Sequence, residues 1–533
     1  MTLDRFGYDA TVPHSNGDHA LEVLSGPAAL IGANGMRAGP DQRLYVAQAF
    51  GNQISAVDLQ TGLVGIVSPA DGMIVAPDDL AFDSHGELFV TEVMSARVTA
   101  IAPNGTIRVI ASDVPVANGI TVHADRIFMS EFRPDGRILE LSAAGTSPRV
   151  VAEGLMMPNA LNLGPDGSLY FPLVPLGEIW RVAPDGGVPE RVAGGFDIPT
   201  AVKFAPDGAL VVVESGSGTV TRLDIQTGQT VRLGRTAFGI DNLEFTADGR
   251  LFISHFTNGA ITEIQANGAT RVVVEGGMSG PFGLAAGSNG ELIVADGMSL
   301  AIIEPGGKLE RPSMLLQHGF PGYVRGIAAT ASGLVCTNSA GAVLTYTPGE
   351  EAIVIAANLD RLMAVAVAAN GDIVVCEAGA GRVLSIDGGG NVTVLARGLS
   401  DPTGLCINRE GTIFVSQAGA GQVTAISNGE VATVVDGLSQ PHGLACHGRT
   451  LFILDRDART LLRHDLDRNE TMVLATGLPT GPGTGRKINS LPGIANLMPG
   501  PLLPFADLAV LPDGRLCIGC DGDGSIRMLA LRG

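Results

Sequence analysis

A phrase of about 40 residues repeats along this chain, and self-similarity at a fixed period of that size restricts the fold to a repeat architecture. Each copy reads as a short polar pair, an aliphatic residue, a turn rich in Asp, Asn and Gly, and then an apolar run. PDDLAFDSHGELFVTE, PNALNLGPDGSLYFPL, PTAVKFAPDGALVVVE, IDNLEFTADGRLFISH and PTGLCINREGTIFVSQ are five of them. Indexed by the first aliphatic residue, the copies stand at Met36, Leu80, Ile120, Leu161, Val202, Leu243, Leu284, Ile327, Val365, Leu405, Leu444 and Leu508. Neighbouring indices are 38 to 44 residues apart, except that the last step is 64.

Within a copy, apolar residues alternate with period two and the turns are dense in Gly and Asp, which excludes a helical repeat. The strands on either side of the Asp-Gly turn form a hairpin. A third strand follows, such as RVTAIA or EIWRVA, and then a fourth, such as TIRVIAS or PERVAGG. Four antiparallel strands make one blade of a β-propeller, and twelve blades exceed a ring of about four to eight. The expected fold class is therefore all-β, two tandem six-bladed β-propellers with four antiparallel strands per blade. The last copy stops at its third strand, SIRMLALRG, while ALEVLSG precedes the first copy as an extra strand of the fourth type. If ALEVLSG closes blade six, the strand ATRVVVEGG is free to close blade twelve. This latching predicts a first propeller over 1–267 and a second over 268–533, with an insertion near 478–504.

Composition narrows the function classes. Of the 533 residues 45% are hydrophobic, enough for a large core and against wholesale disorder. A formal net charge of −20 argues against a nucleic-acid partner and against an anionic membrane surface. No stretch has the length and apolarity of a membrane-spanning helix, and the opening residues lack the basic and apolar regions of a signal peptide. Most of the six cysteines sit in strand patterns, where a thiol acts as a small hydrophobe. Cys517 and Cys520 form a lone C-x-x-C with no second pair, a weak metal or redox signal. A soluble, cytoplasmic protein is expected; its oligomeric state is not legible.

The chemistry is expected where innermost strands begin, because those positions converge on the channel of a propeller, and such pockets are default binding sites. Two residues before each index, the first ring reads Asn34, Asp78, Asn118, Asn159, Thr200 and Asp241, with Asp79 and Asn242 doubling two blades. The second ring reads Phe282, Arg325, Met363, Thr403, His442 and Ala506. Short oxygen-bearing side chains can cap turns, but that role does not explain their loss from the second ring. Converging hard oxygens suit a divalent cation, calcium first, with magnesium, manganese or zinc as the alternatives. At the ends of the second strands, Gln48, Glu92, Glu131, Leu173, Glu214 and His255 follow. Of these Glu92, Glu131, Glu214 and His255, with Asn34, Asp79 and Thr200, are the expected substrate-binding residues; as solvent-facing turn residues they would have no such role.

ANGITV, PNALNL and IDNLEF resemble phrases of the SMP-30/gluconolactonase/luciferin-regenerating enzyme superfamily, and Asp241-Asn242 resembles the Asp-Asn element of paraoxonase-type lactonases. The resemblance implies a six-bladed propeller with a divalent cation, often calcium, in its channel and hydrolysis of lactones or other esters. Carried over, Asn118, Asn159, Asp241 and Asn242 are the implied metal ligands, and Asp241 the implied base. The family's Glu on the first blade has no counterpart, since that position is Asn34; Asp78 or Asp79 stands in. Thr200 occupies the blade that often carries the catalytic Asp. QPHGLAC around His442 is similar to a phrase of the virginiamycin B lyase group, which opens a cyclic ester by elimination, though the second His and Glu cluster is missing. The leading expectation is a metal-dependent hydrolase opening a lactone or similar small cyclic ester in the first ring, with Asp241 or Asp78 activating water. The alternatives are a lyase of that group and a non-catalytic binding propeller. The insertion is read as a lid, an oligomer contact or a solvated loop.

Overall fold

The computed structural model describes residues 4–16, 20–427, 429–483 and 486–531; residues 484 and 485 of the insertion lie outside them. Apart from a single turn of 3-10 helix at Val174–Leu176, the regular structure is β. The chain divides into two compact units. Ring one is 29–276 together with 487–494, and ring two is 1–28, 277–486 and 495–533. Each holds six antiparallel sheets of four or more strands. The innermost strands of ring one are Met36–Ala38, Pro77–Phe82, Ala117–His123, Asn162–Leu163, Pro199–Phe204 and Ile240–Phe245. Those of ring two are Leu284–Ala286, Val324–Thr330, Leu362–Val367, Pro402–Ile407, Pro441–His447 and Leu508–Val510. In each unit the innermost strand of the last sheet packs beside that of the first, so each closes on itself as a ring of blades.

The hairpins form where the sequence places short polar turns. Asp83 accepts hydrogen bonds from the N–H groups of His85 at 2.9 Å and Glu87 at 2.8 Å, while Gly86 takes the left-handed conformation at φ 81°. Second strands such as Leu88–Glu92 are buried along their whole length, because a neighbouring blade covers each face. Outermost strands such as Val64–Ser68 are largely exposed. The core is consequently a series of clusters between blades. One joins Met36, Leu44 and Val46 of the first blade to Phe252, Ile261 and Val274 of the sixth, which seals ring one with apolar surface. Leu284, Leu292 and Ala301 meet Ala509, Cys517 and Ile526 at the same place in ring two.

The latching differs from the expectation. Leu21–Ser25 does not complete blade six; it pairs antiparallel with Ser525–Ala530, with Leu21 opposite Leu529 and Val23 opposite Arg527. Thr270–Val274 stays in its own blade, paired with Ile261–Ile264. The reason is local. Asn267 and Gly268 turn the chain directly back onto the third strand, with Asn267 accepting from the Ala269 N–H at 2.9 Å, and a short loop closes at far less entropic cost than a distant segment. The outer edge of blade twelve is instead covered by Leu21–Ser25. The chain therefore passes from one unit to the other at 28/29 and at 276/277 rather than at 267/268, and again at 486/487 and 494/495 in the insertion. Cys406 and Cys446, on adjacent innermost strands of ring two, are joined by a disulfide, whereas Cys336, Cys376, Cys517 and Cys520 are free and buried. Among the described residues no helix is long and apolar enough to cross a membrane.

Candidate functional site

At the start of its innermost strands, ring one carries a layer of buried oxygen donors: Asn34, Asp78, Asp79, Asn118, Asn159, Thr200 and Asn242 are buried, and Asp241 is partly exposed. These residues divide by what they touch. Asp79 is a brace between blades. Its carboxylate accepts from the N–H of Leu80 at 2.9 Å and from that of Ile120, one blade on, at 3.0 Å. The Asn242 amide reaches the same carboxylate at 3.3 Å. Gly35 makes that reach possible, since a Cβ there would stand 2.2 Å from Asp79 Oδ1. Asn242 accepts the Leu243 N–H at 2.8 Å, Asn159 accepts the Ala160 N–H at 2.7 Å, and Asn34 accepts the Ala49 N–H at 3.2 Å. Thr200 donates to the Ile240 carbonyl at 3.3 Å. The Asn118 amide oxygen is buried with no hydrogen-bond partner among the described residues.

Asp78 and Asp241 are the chemically unsettled pair. Burial, then the charges of Asp241 and Asp79, hold the Asp78 carboxyl well above the usual carboxylate range. Burial and Asp79 push Asp241 up to about 7, against a hydrogen bond from Asn34 that lowers it. Beside this layer, one residue past the index, lie three charged side chains that the repeat reading did not single out. Arg37 donates to the carbonyls of Leu80 at 2.9 Å and Ile120 at 3.1 Å and stands 3.7 Å from Glu244. Lys203 donates to the Met36 carbonyl at 3.0 Å and pairs with Glu244. Burial lowers Lys203 to about 8, with Arg37 adding to the effect. Charged residues inside an otherwise apolar strand were the available signal. Among the described residues four carboxyls, Asp78, Asp79, Asp241 and Glu244, stand with two cations, Arg37 and Lys203, and Asp78 and Asp241 hold their protons more tightly than ordinary carboxyls do.

The strand-end residues have other work. Glu92 accepts the Val75 N–H and an Arg97 Nε–H, both at 2.7 Å. Glu131 binds Arg133 at 2.9 Å and Arg137 at 2.5 Å. Glu214 accepts the Asp197 N–H at 3.0 Å and the Thr221 hydroxyl at 2.5 Å. Gln48 accepts the Ile31 N–H at 2.8 Å. In Gln48, Glu92 and Glu214, a strand-end oxygen fixes the loop that enters the same blade. His255 is buried against Thr262 at 3.2 Å, and burial holds it down to about 4, a neutral imidazole. None of these groups is brought into the Asp78–Asp241 layer by a described bond.

Ring two is built differently at the same level. Phe282 packs on Tyr323 with ring centroids 5.7 Å apart, and His442 stacks on Phe505 at 5.9 Å. Burial and Arg456 hold His442 down to about 3. Arg325 donates to the Leu362 carbonyl at 3.2 Å and to that of Pro501. Asp507 copies the bracing role of Asp79, accepting the Leu284 N–H across the ring closure at 3.1 Å.

The metal reading fits the donors of ring one only in part. Among the described residues no three His, Cys, Asp or Glu side chains form a metal-ligand group. The available set is instead two mutually repelling carboxylates, Asp78 and Asp241, with the partnerless oxygen of Asn118 and the second lone pair of Asn159. Hard oxygens of this kind suit calcium or magnesium.

No family model and no curated protein matches the chain. Solved structures do resemble it. A streptogramin B lyase is 20% identical, with 52% of this chain and 94% of that one covered and a TM-score of 0.39. A catalytically inactive virginiamycin B lyase from Staphylococcus aureus, solved with quinupristin, is 16% identical over 60% of this chain and 96% of that one, with a TM-score of 0.35. A gluconolactonase from Xanthomonas campestris is 18% identical over 45% and 88%, with a TM-score of 0.38. The all-β propeller fold of this chain stands on its own four-stranded antiparallel sheets.

Proposed function

We propose that ring one is a divalent-cation-dependent hydrolase that opens a lactone or similar cyclic ester. The observation that carries this reading is the raised proton affinity of two buried carboxyls, Asp78 and Asp241, at the strand starts that also carry the Asn118 amide oxygen, unpartnered among the described residues. Burying like charges without a counter-charge is costly, and a divalent cation is the simplest group to restore the balance.

Asp78, Asp241, Asn118 and Asn159 would hold the cation, calcium in the first instance. Bound there, it would polarise an ester carbonyl and stabilise the negative charge that develops on its oxygen. Asp241, partly exposed at the strand start of blade six, takes the proton from an attacking water. Asp79 and Asn242 hold the strand starts of blades two, three and six in register, and Arg37 and Lys203 oppose the burial that raises the Asp79 carboxyl. Elimination chemistry by His442 has no such support, because that ring is buried against Phe505.

Turnover of a panel of lactones by the full chain, before and after metal stripping with EDTA and after calcium is restored, tests the reading. Full activity in the stripped protein removes the metal from the mechanism. Absence of any bound or binding cation favours a non-catalytic binding propeller.

A further inference from the structure

The layer just described depends on a loop that ring one does not hold by itself. Residues 69–76 lead straight into Pro77, Asp78 and Asp79. From one side the loop is tied by the ring's own blades. Glu92 accepts the Val75 N–H at 2.7 Å, and Arg97 donates to the Met73 carbonyl. From the other side comes a segment that is distant in sequence. Residues 487–494 of the insertion belong to the compact unit of ring one, although the chain before and after them belongs to ring two.

Asn489 makes the attachment. Its N–H donates to the Ala70 carbonyl at 3.2 Å and its side-chain amide to the Gly72 carbonyl at 2.7 Å. Its own carbonyl accepts from the Asn52 side chain at 2.6 Å. Asn52 is fully buried in a left-handed turn, φ 53°, and its other side-chain atom accepts the Ala76 N–H at 2.8 Å. One asparagine thus joins the arm to the residue two positions before Asp78. Leu491 and Ile494 are buried, which anchors the second half of the arm.

We infer that the 487–494 arm, through Asn489 and Asn52, positions the Asp78 loop of ring one, so that a segment inserted in the second repeat array completes the site of the first. This rests on the reading of that layer as the reactive one, but its structural half can be tested alone. Asn489 is a positioning residue: it acts on Asp78 through Asn52 and Ala76 and touches no reacting atom. Asn489→Ala removes the bond to Gly72, and Asn489→Asp keeps the shape while placing an acceptor against that carbonyl. Glu92 still holds the loop in both, so the variants fold.

The experiment is amide hydrogen exchange of the full chain, with lactone turnover in the presence of calcium on the same preparations. Both variants should exchange about tenfold faster at Val75 and Ala76, since losing one such bond changes local opening by about that factor. The corresponding loop at 113–117 should be unchanged. The value of kcat should fall several-fold with KM unaltered, because the arm sets the reacting geometry and not substrate affinity. Unchanged exchange at 69–79 overturns the inference, and so does faster exchange with an unaltered kcat, which would leave the arm a structural strap. If the wild-type chain opens no lactone while exchange still rises at 69–79, the arm positions Asp78 and it is the hydrolase reading that fails.

Discussion

Asp241 titrates where a carboxylate ordinarily does not. Its folded value near 7 lies above the value near 4 expected of an unfolded carboxylate, so on falling pH the folded chain takes up this proton first. The metal-free protein should therefore gain stability from this group as the pH falls from about 7 to about 4, and lose it on the way back. Asp241→Asn removes the group. At pH 8 it should raise the metal-free melting temperature by about 2–4 °C, the size expected for roughly 1 kcal/mol in a unit of this length, and flatten the slope between pH 4 and 7. Lactone turnover should disappear in the same variant. Melting below wild type at pH 8 would show that the charge is compensated in some other way. Asn118→Ala makes a complementary prediction. Its amide oxygen has no protein partner to lose, so stability should stay within about 0.5 kcal/mol. Calcium affinity, measured by titration calorimetry, should weaken by about tenfold or more if that oxygen is a ligand.

Among the elements, the blade repeat was the most legible, because period-two alternation and Asp-Gly turns act locally and identically in every copy. The closure of blade twelve was not, since it depends on which of two candidate strands lies nearer, and only the turn at Asn267 and Gly268 decides that. The strand-end acids were legible in place but not in role. Here the second ring holds the information: Asp296 accepts the Gly280 N–H at 2.6 Å, Glu377 the Asp360 N–H at 2.9 Å and Gln417 the Ser400 N–H at 2.8 Å, the same loop contact that Glu92 and Glu214 make. A position retained in both rings serves the blade; the Asn and Asp layer, present in one ring alone, is the one that needs another explanation. Arg37, Lys203 and Glu244 escaped notice because a repeat alignment weights positions that recur, and these do not. Deleting residues 1–25 should remove the outer strand of blade twelve, lower the melting of ring two and leave that of 29–276 in place; calorimetry would resolve the two, and a uniform shift of both would contradict the assignment.

For the molecule as a whole, a ligand that binds only one folded unit stabilises only that unit. Calcium at 100 times its dissociation constant should add about 2.7 kcal/mol to ring one and leave the transition of ring two where it was, and the increment should shrink at pH 5, where protons compete for Asp78 and Asp241. Equal stabilisation of both transitions would place the ion elsewhere. The pairing of Leu21–Ser25 with Ser525–Ala530 has a further consequence, one of timing. At about 5–20 residues per second of synthesis, Leu21–Ser25 waits roughly 25–100 s on the ribosome for a partner that lies about 500 residues further on. The blades of ring one, continuous in sequence, can form during that wait, while the outer edge of blade twelve stays unpaired until Ser525–Ala530 is made. A chain interrupted before Ser525–Ala530 would leave that edge unpaired, so the order of synthesis sets which ring can close first.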